Sequence, residues 1–238
     1  MTGMLEQDAA GAVKPDTTAA PVAASRVVLF DFDGVLMHGD AFGLFMRERY
    51  ARSPWRGVLA FVCLPLLLVP LPFSRRLPVY MLVRIALLGM GSKRYQMAAC
   101  DFAALLARRP RQFCRDGLLA LRRHQAAGDR VIVVTGCEHV LVNGILQQLG
   151  LTDLEVLASQ LRPGWLGMRS HWHNVGVRKV LRLAQHGLTS WQVAYSDSLQ
   201  DVPMFRHASE VVLVNGTSTL CKKVENALGR LISRVDWF

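Results

Sequence analysis

The stretch Val27-Val28-Leu29-Phe30-Asp31-Phe32-Asp33-Gly34 decides the fold. Three consecutive branched aliphatics and a Phe suit a strand buried on both faces, as in a parallel sheet. Asp31 stands where that strand ends, Asp33 follows two residues later, and Gly34 lets the chain turn away. Open parallel sheets bind ligands beyond the carboxyl ends of their strands. Two carboxylates held there on stiff backbone favour a divalent cation and a phosphate, because a cation offsets their mutual repulsion. An isolated Asp-x-Asp is usually no more than a solvated turn. Here three later segments supply the missing parts.

The first is Arg130-Val131-Ile132-Val133-Val134, a second buried strand, followed by Thr135-Gly136. The second is a helix over 175–186 carrying Arg178, Lys179 and Arg182. The third is a strand from Trp191 to Tyr195 that runs into Ser196-Asp197-Ser198-Leu199-Gln200-Asp201. Between and after them, the spacing predicts a helix over 138–149 ended by Gly150 and a short strand over 154–158. A last strand over 211–214 and a last helix over 218–231 follow. Strands alternating with helices imply right-handed βαβ units. The expected class is α/β, a Rossmann-like doubly wound parallel sheet.

Length and composition suit one α/β domain with an insertion: 238 residues, 51% hydrophobic, net charge +10. The charge is concentrated. Residues 41–128 hold 15 Lys/Arg against 3 Asp/Glu, a net +12, while the remainder is near neutral at −2. Such asymmetry points to an anionic-membrane or nucleic-acid partner. The five cysteines are odd in number and form no C-x-x-C pair, which fits reduced thiols in a cytoplasmic setting. Residues 1–25, rich in Ala, Thr and Pro, are expected to be a disordered leader without the pattern of a secretory signal.

The segment 41–128 reads as a helical, hydrophobic and basic cap inserted into a core of 26–40 and 129–238. Asp40 is a plausible N-cap for a helix carrying Phe42, Phe45, Met46 and Tyr50, with Arg47, Arg49 and Arg52 interleaved. That pattern suits an inward-packed cap helix or a basic helix on a membrane surface. Gly57 to Phe73 then carries no charge, and Leu77 to Met90 only Arg84. Pro65, Pro70 and Pro72 break the first run and the second is short of a membrane span, which needs roughly 20 apolar residues. Asp31 lies before this region and its supposed partners after it, so one site excludes an odd number of crossings. Two crossings would put Arg75 and Arg76 on the far side, against the positive-inside tendency. A monotopic, partly inserted hairpin flanked by arginines is the favoured reading. The competing one is a hydrophobic cap buried on itself or on a dimer partner. Ser92 to Arg109 is helical again, ended by Pro110, and Asp116 is expected to cap a helix that Gly128 ends.

The inventory of Asp31, Asp33, Thr135, Lys179, Asp197 and Asp201 is what phosphoryl transfer needs. A carboxylate attacks, an ammonium and a hydroxyl hold the phosphate, and a second carboxylate moves protons. In DFDGV at 31–35, the hydrophobic strand ending in Thr135-Gly136, Lys179 on a helix and SDSLQD at 196–201, the chain resembles the haloacid dehalogenase (HAD) superfamily. That resemblance implies a nucleophile, Asp31, and a general acid/base, Asp33. It implies Mg²⁺ held by Asp31, the Asp33 carbonyl and Asp197, with Asp201 supporting the metal shell. Thr135, the Gly136 amide and Lys179 would hold the phosphate. Val35 stands where the family usually has Thr, and an insertion between the first two motifs implies a C1 cap.

The nearer resemblance is to the IB subgroup that includes phosphatidylglycerophosphatase, on the first strand's surroundings, the Pro-broken apolar run, ASQL, GVRKV and YSDSLQDVPM. It implies a lipid phosphate substrate, an anionic membrane surface as partner and a place on the cytoplasmic face of a bacterial inner membrane. Two other readings stay open: a soluble phosphatase for a small ester such as phosphoserine, and a non-catalytic membrane-binding adaptor. Nucleic acid is not expected, because the positive charge flanks apolar runs rather than stacking aromatics. Cys137 reads as a small helix-start residue, Arg178 as solvated, and His171 and His173 as a loop pair without a completed metal pattern.

Overall fold

A computed structural model describes residues 26–69 and 76–238. The expected leader over 1–25, and Pro70, Pro72 and Arg75 of the expected hairpin, lie outside the described residues. Strand β1 (Val27–Phe30) lies within a sheet with β2 (Arg130–Glu138), β3 (Glu155–Gly164), β4 (Gly167–Trp172), β5 (Trp191–Ser196), β6 (Ala208–Val214) and β7 (Ser233–Val235). Their order is β4-β3-β2-β1-β5-β6-β7. All pairs are parallel except the β3–β4 hairpin. From β1 the chain winds outward through β2 and β3, then returns to β1's other side as β5. The order therefore reverses at β1, and the crevice beyond its carboxyl end is where such sheets bind ligands.

Alternation along β1 divides the core. Val28 and Phe30 join one apolar cluster, Leu29 the other, and none of the three is exposed. Between β1 and β2 the described residues form the helices α1 (Ala41–Ala51), α2 (Pro54–Val62), α3 (Leu64–Leu68), α4 (Arg76–Ala86), α5 (Ser92–Ala107) and α6 (Arg115–Ala126). The remaining helices are α7 (His139–Gln148), α8 (Val177–Gln185), α9 (Val202–Phe205) and α10 (Ser218–Leu228).

The inserted helices divide by what their apolar faces meet. Phe45 of α1 turns inward against Tyr95 and Phe102 of α5, with ring centroids 5.9 and 5.3 Å away. These residues share one cluster with Val28 and Ile145, so α1 and α5 are built into the sheet's own core. By contrast α2, α3 and α4 leave Val58, Phe61, Leu66 and Val79 exposed, Phe61 at 75%. Among the described residues no helix is long and apolar enough to cross a membrane.

Three details differ from expectation. Strand β4 has no apolar alternation to betray it, because it is an edge strand with three of its six residues exposed and one buried. Strand β7 is only three residues long. The cap of α6 is Cys114, whose Sγ accepts from Gly117 N, while Asp116 sits in the first turn and accepts from the Phe238 amide. Asp40 does cap α1, accepting from Gly43 N at 2.9 Å. All five cysteines are free thiols.

Candidate active site

Asp31 continues the line of β1, its N–H donating to the Tyr195 carbonyl of β5 at 2.9 Å. Its Oδ1 accepts from the Phe32 amide at 2.7 Å, and its Oδ2 lies 2.9 Å from Lys179 Nζ. The chain then turns tightly. The Leu36 and Met37 amides both donate to the Phe32 carbonyl, and Gly34 takes φ +78°. A Cβ at Gly34 would overlap the Asp197 carboxylate, so only glycine lets the end of β5 lie against this loop. Val35, where Thr was the commoner residue, is fully buried and anchors the turn in the apolar core. Asp33 Oδ1 accepts from Ala41 N at 2.9 Å, so the first turn of α1 holds its carboxylate in place.

Lys179 sits in the first turn of α8 and is buried. Besides Asp31 it pairs with Asp201 Oδ2 at 2.8 Å, and Ser196 Oγ donates to the same oxygen at 2.6 Å. The end of β2 is irregular. Val134 pairs with Leu157 and Glu138 with Ser159, so three residues, Thr135 to Cys137, face one on β3. This bulge carries Gly136 to the crevice wall. It also turns Thr135 inward: fully buried, it accepts from the Cys137 amide through Oγ1 at 2.9 Å.

These elements surround a cleft of about 780 Å³. Asp31, Asp33, Asp197, Asp201, Lys179 and Gly136 line it, whereas Thr135 lies behind the wall. Phe42, Val79 and Val83 of the inserted helices, with Leu161 and Trp172 of the β3–β4 hairpin, give it an apolar side. Residues 28–206 match the family model for haloacid dehalogenase-like hydrolases.

The chain belongs to this family. Similar solved structures agree on the fold. A Bordetella pertussis Tohama I protein of unknown function is 20% identical with a TM-score of 0.65, over 88% of this chain and 99% of that one. A phosphoserine phosphohydrolase-like protein from Francisella tularensis is 14% identical with a TM-score of 0.56, over 87% and 94%. A substrate-bound phosphoserine phosphatase is 18% identical with a TM-score of 0.51, over 84% and 90%.

In this haloacid dehalogenase-like hydrolase the site's charges are out of balance. Burial pushes the Asp31 carboxyl well up, and Asp201 adds to the rise against the pull of Lys179. Burial likewise raises Asp33 to about 7 and raises Asp197. Asp201 alone is held low: burial opposes ionisation there, but the Lys179 charge and bonds from Asp31, Lys179 and Ser196 outweigh it. Burial works against the Lys179 charge too, and the two carboxylates more than restore it. These four carboxylates, with Asp40 and Glu138 also on the wall, thus face one ammonium among the described residues lining the cleft.

A divalent cation fits that imbalance, since hard oxygen donors and surplus negative charge are what Mg²⁺ takes. No group of three or more His, Cys, Asp or Glu side chains forms a metal site among the described residues. The set implied for Mg²⁺ needs only two carboxylates, Asp31 and Asp197, and the Asp33 carbonyl. The room that Gly34 leaves for Asp197 suits it.

Two supporting residues escaped the sequence reading. Asn174, fully buried, donates through Nδ2 to the Thr135 and Leu157 carbonyls at 3.2 and 2.8 Å, tying the ends of β2 and β3 to the approach to α8. Nothing in one sequence marks it. Ser196 was within the motif around Asp197, yet its bond to Asp201 needs the three-dimensional turn. Cys137 is buried, and burial pushes its thiol well up, which disfavours the thiolate. His171 is exposed; His173 lines the cleft, its ring edge-on to Tyr80. Arg178 is exposed and lies over the Trp172 ring at 5.6 Å.

Proposed function

We propose that this hydrolase is a Mg²⁺-dependent phosphomonoesterase that works through phosphorylated Asp31, on a lipid phosphate at an anionic membrane surface. The observation that carries the chemistry is Asp31 Oδ2 at 2.9 Å from Lys179, with Asp33 two residues away at a pKa of about 7. Asp31 attacks phosphorus as the bond to the leaving oxygen breaks, and Asp33 gives that oxygen its proton. Asp33 then takes a proton from water as the water oxygen bonds phosphorus and the Asp31–phosphorus bond breaks. Phosphate leaves and both carboxyls return to their starting states. Lys179 spends two of its three donors on Asp31 and Asp201, leaving one for a phosphate oxygen beside the Gly136 amide. Thr135 acts from behind the wall, holding the bulge that presents Gly136. Mg²⁺, held by Asp31, Asp197 and the Asp33 carbonyl with Asp201 behind them, would supply the charge that keeps Asp31 ionised beside a phosphate.

The acid role of Asp33 predicts a pH limb with a definite sign. A raised carboxyl carries its proton below its pKa and loses it above. Hydrolysis of an alkyl phosphate should therefore fall about tenfold per pH unit above roughly pH 7 in kcat/KM. A p-nitrophenyl ester, whose leaving group needs no proton, should show no such fall. Parallel profiles for the two substrates would remove Asp33 from this role.

The lipid half rests on the apolar side of the cleft and the exposed apolar faces of α2 to α4, set in a segment of net charge +12. Basic and greasy surfaces together favour anionic bilayers. This suits the phosphatidylglycerophosphatase subgroup and a place on the cytoplasmic leaflet. A second reading takes its substrate from the phosphoserine phosphatases of the same fold. It is weaker on chemistry. A phosphoserine carboxylate calls for a cation, and Lys179, already shared by two aspartates, is the one Lys or Arg among the described lining residues. Phosphate release from phosphatidylglycerol phosphate, phosphatidate and phosphoserine in mixed micelles with Mg²⁺ tests the choice. The lipid esters should be preferred by at least about 10²-fold in kcat/KM. A preference for phosphoserine would overturn the lipid reading and leave the phosphatase intact.

A further inference from the structure

At one joint of the inserted segment, away from the cleft, three elements meet on the same two residues. Arg56 of α2 donates through Nη2 to the Leu88 carbonyl just past α4, at 3.0 Å. Leu88 bridges to Gly167, and the Gly89 amide donates to the Leu166 carbonyl at 3.0 Å, so the tip of the β3–β4 hairpin is fastened to the same spot. A Cβ at Gly167 would overlap the Leu87 carbonyl, so the fastening depends on that glycine.

What this joint presents is unusual for a water-facing surface. Trp165, at the hairpin tip, is 97% exposed, with Leu166 beside it, and Trp55 is half exposed under the Arg56 guanidinium. Arg56 itself is only 6% exposed, yet its Nε and Nη1 have no hydrogen-bond partner among the described residues. The same holds for Nε of neighbouring Arg49. Burial lowers Arg49, and the charges of Arg56 and Arg52 lower it further, as expected of guanidiniums crowded without enough anions. Of the nearby acids, Glu48 is already paired with Arg52 at 2.6 Å. Buried donors left unbonded are costly, so the site calls for an anion.

We propose that this joint seats the headgroup phosphate of an anionic phospholipid on Arg56 and Arg49, with Trp165 and Trp55 lying at the depth of the headgroups. The proposal rests on the membrane half of the preceding reading and adds a lipid contact separate from the substrate, since neither arginine lines the cleft. Guanidinium forks match phosphate oxygens, and Trp favours the bilayer interface. The exposed apolar side chains of α2 to α4, in the same inserted segment, would meet acyl chains. The fastened hairpin makes the anchor part of the body that carries Trp172 at the cleft wall.

Flotation of the full chain with vesicles of phosphatidylcholine, with and without phosphatidylglycerol, tests this. Trp165→Ser should weaken binding to the doped vesicles roughly tenfold. Arg56→Gln should weaken it about fivefold and leave binding to pure phosphatidylcholine unchanged. Turnover of p-nitrophenyl phosphate should be that of the unmodified chain in both, which also reports that the variants are folded. If Arg56→Gln does not fold, Trp165→Ser decides alone, because that side chain is almost wholly in solvent. Unmodified chain bound to doped vesicles and variants bound equally well would overturn this site alone. An unmodified chain that binds no vesicle would overturn it together with the membrane reading, leaving the hydrolase chemistry untouched.

Discussion

Asp31→Asn should lower kcat by at least about 10⁴-fold. An amide oxygen is a poor nucleophile, and the change also removes a charged oxygen from the proposed cation set. The loss should not come from unfolding. Asn keeps an oxygen for the Phe32 amide, which Asp31 now accepts at 2.7 Å. It also removes a buried carboxyl that burial had pushed well above its ordinary range. Thermal stability should therefore match or exceed that of the unmodified chain. Steady-state phosphate release alongside a melting curve checks both halves. An inactive, destabilised variant would say only that Asp31 supports the fold.

Lys179→Met should act the opposite way, costing stability as well as activity. The ammonium bridges Asp31 and Asp201, at 2.9 and 2.8 Å. Removing one partner from a buried ionic cluster costs about 3–5 kcal/mol, because the charges left behind are unpaired. The pH dependence follows from Asp201, whose carboxyl is held below its ordinary value. A depressed carboxyl stabilises the fold above its unfolded pKa, and that contribution is lost as pH falls through the folded one. Without Lys179 the two aspartates would both be raised and would take up protons on mild acidification. The deficit against the unmodified chain should thus be largest at neutral pH and shrink toward about pH 5. Denaturant midpoints at the two pH values measure it. A deficit independent of pH would mean that Lys179 acts through volume alone. Turnover should fall about 10²–10³-fold through loss of a donor to the phosphate.

The contrast between these variants shows how the site was legible in the sequence and where it was not. Asp31, Lys179 and Asp197 stand at the end of a strand, on a helix and just past a second strand. Each neighbouring aliphatic run declares its strand: Val28 to Phe30, Val131 to Val134 and Trp191 to Tyr195. Convergence then follows from parallel winding, which puts strand ends on one edge. What could not be read depends on backbone detail. The bulge at Thr135 to Cys137 leaves no mark in an apolar run, so the sequence does not show that Gly136 lines the cleft while Thr135 is fully buried. Asn174 looks like any loop Asn until its amide is found bonded to two strand ends. The β3–β4 hairpin has no apolar alternation on its edge strand, so the wall it supplies, and Trp165 at its tip, were invisible. The inserted helices divide in the same way. The stripe of Phe42, Phe45 and Met46 fits an inward face or a membrane face equally, and only the position of Phe102 across from Phe45 decides it. For α2 to α4 periodicity never resolves an inner face, and the structure leaves their apolar side chains exposed.

The most direct test of the central claim is to trap the reaction partway. Rapid acid quench of the protein turning over a phosphomonoester with Mg²⁺, followed by proteolysis and mass spectrometry, reads where the phosphoryl group sits. Phosphate on Asp31, formed no more slowly than product and absent from Asp31→Asn, is the predicted result. Sustained turnover with no phosphate on Asp31 at any time, or with phosphate carried by another residue, would contradict it.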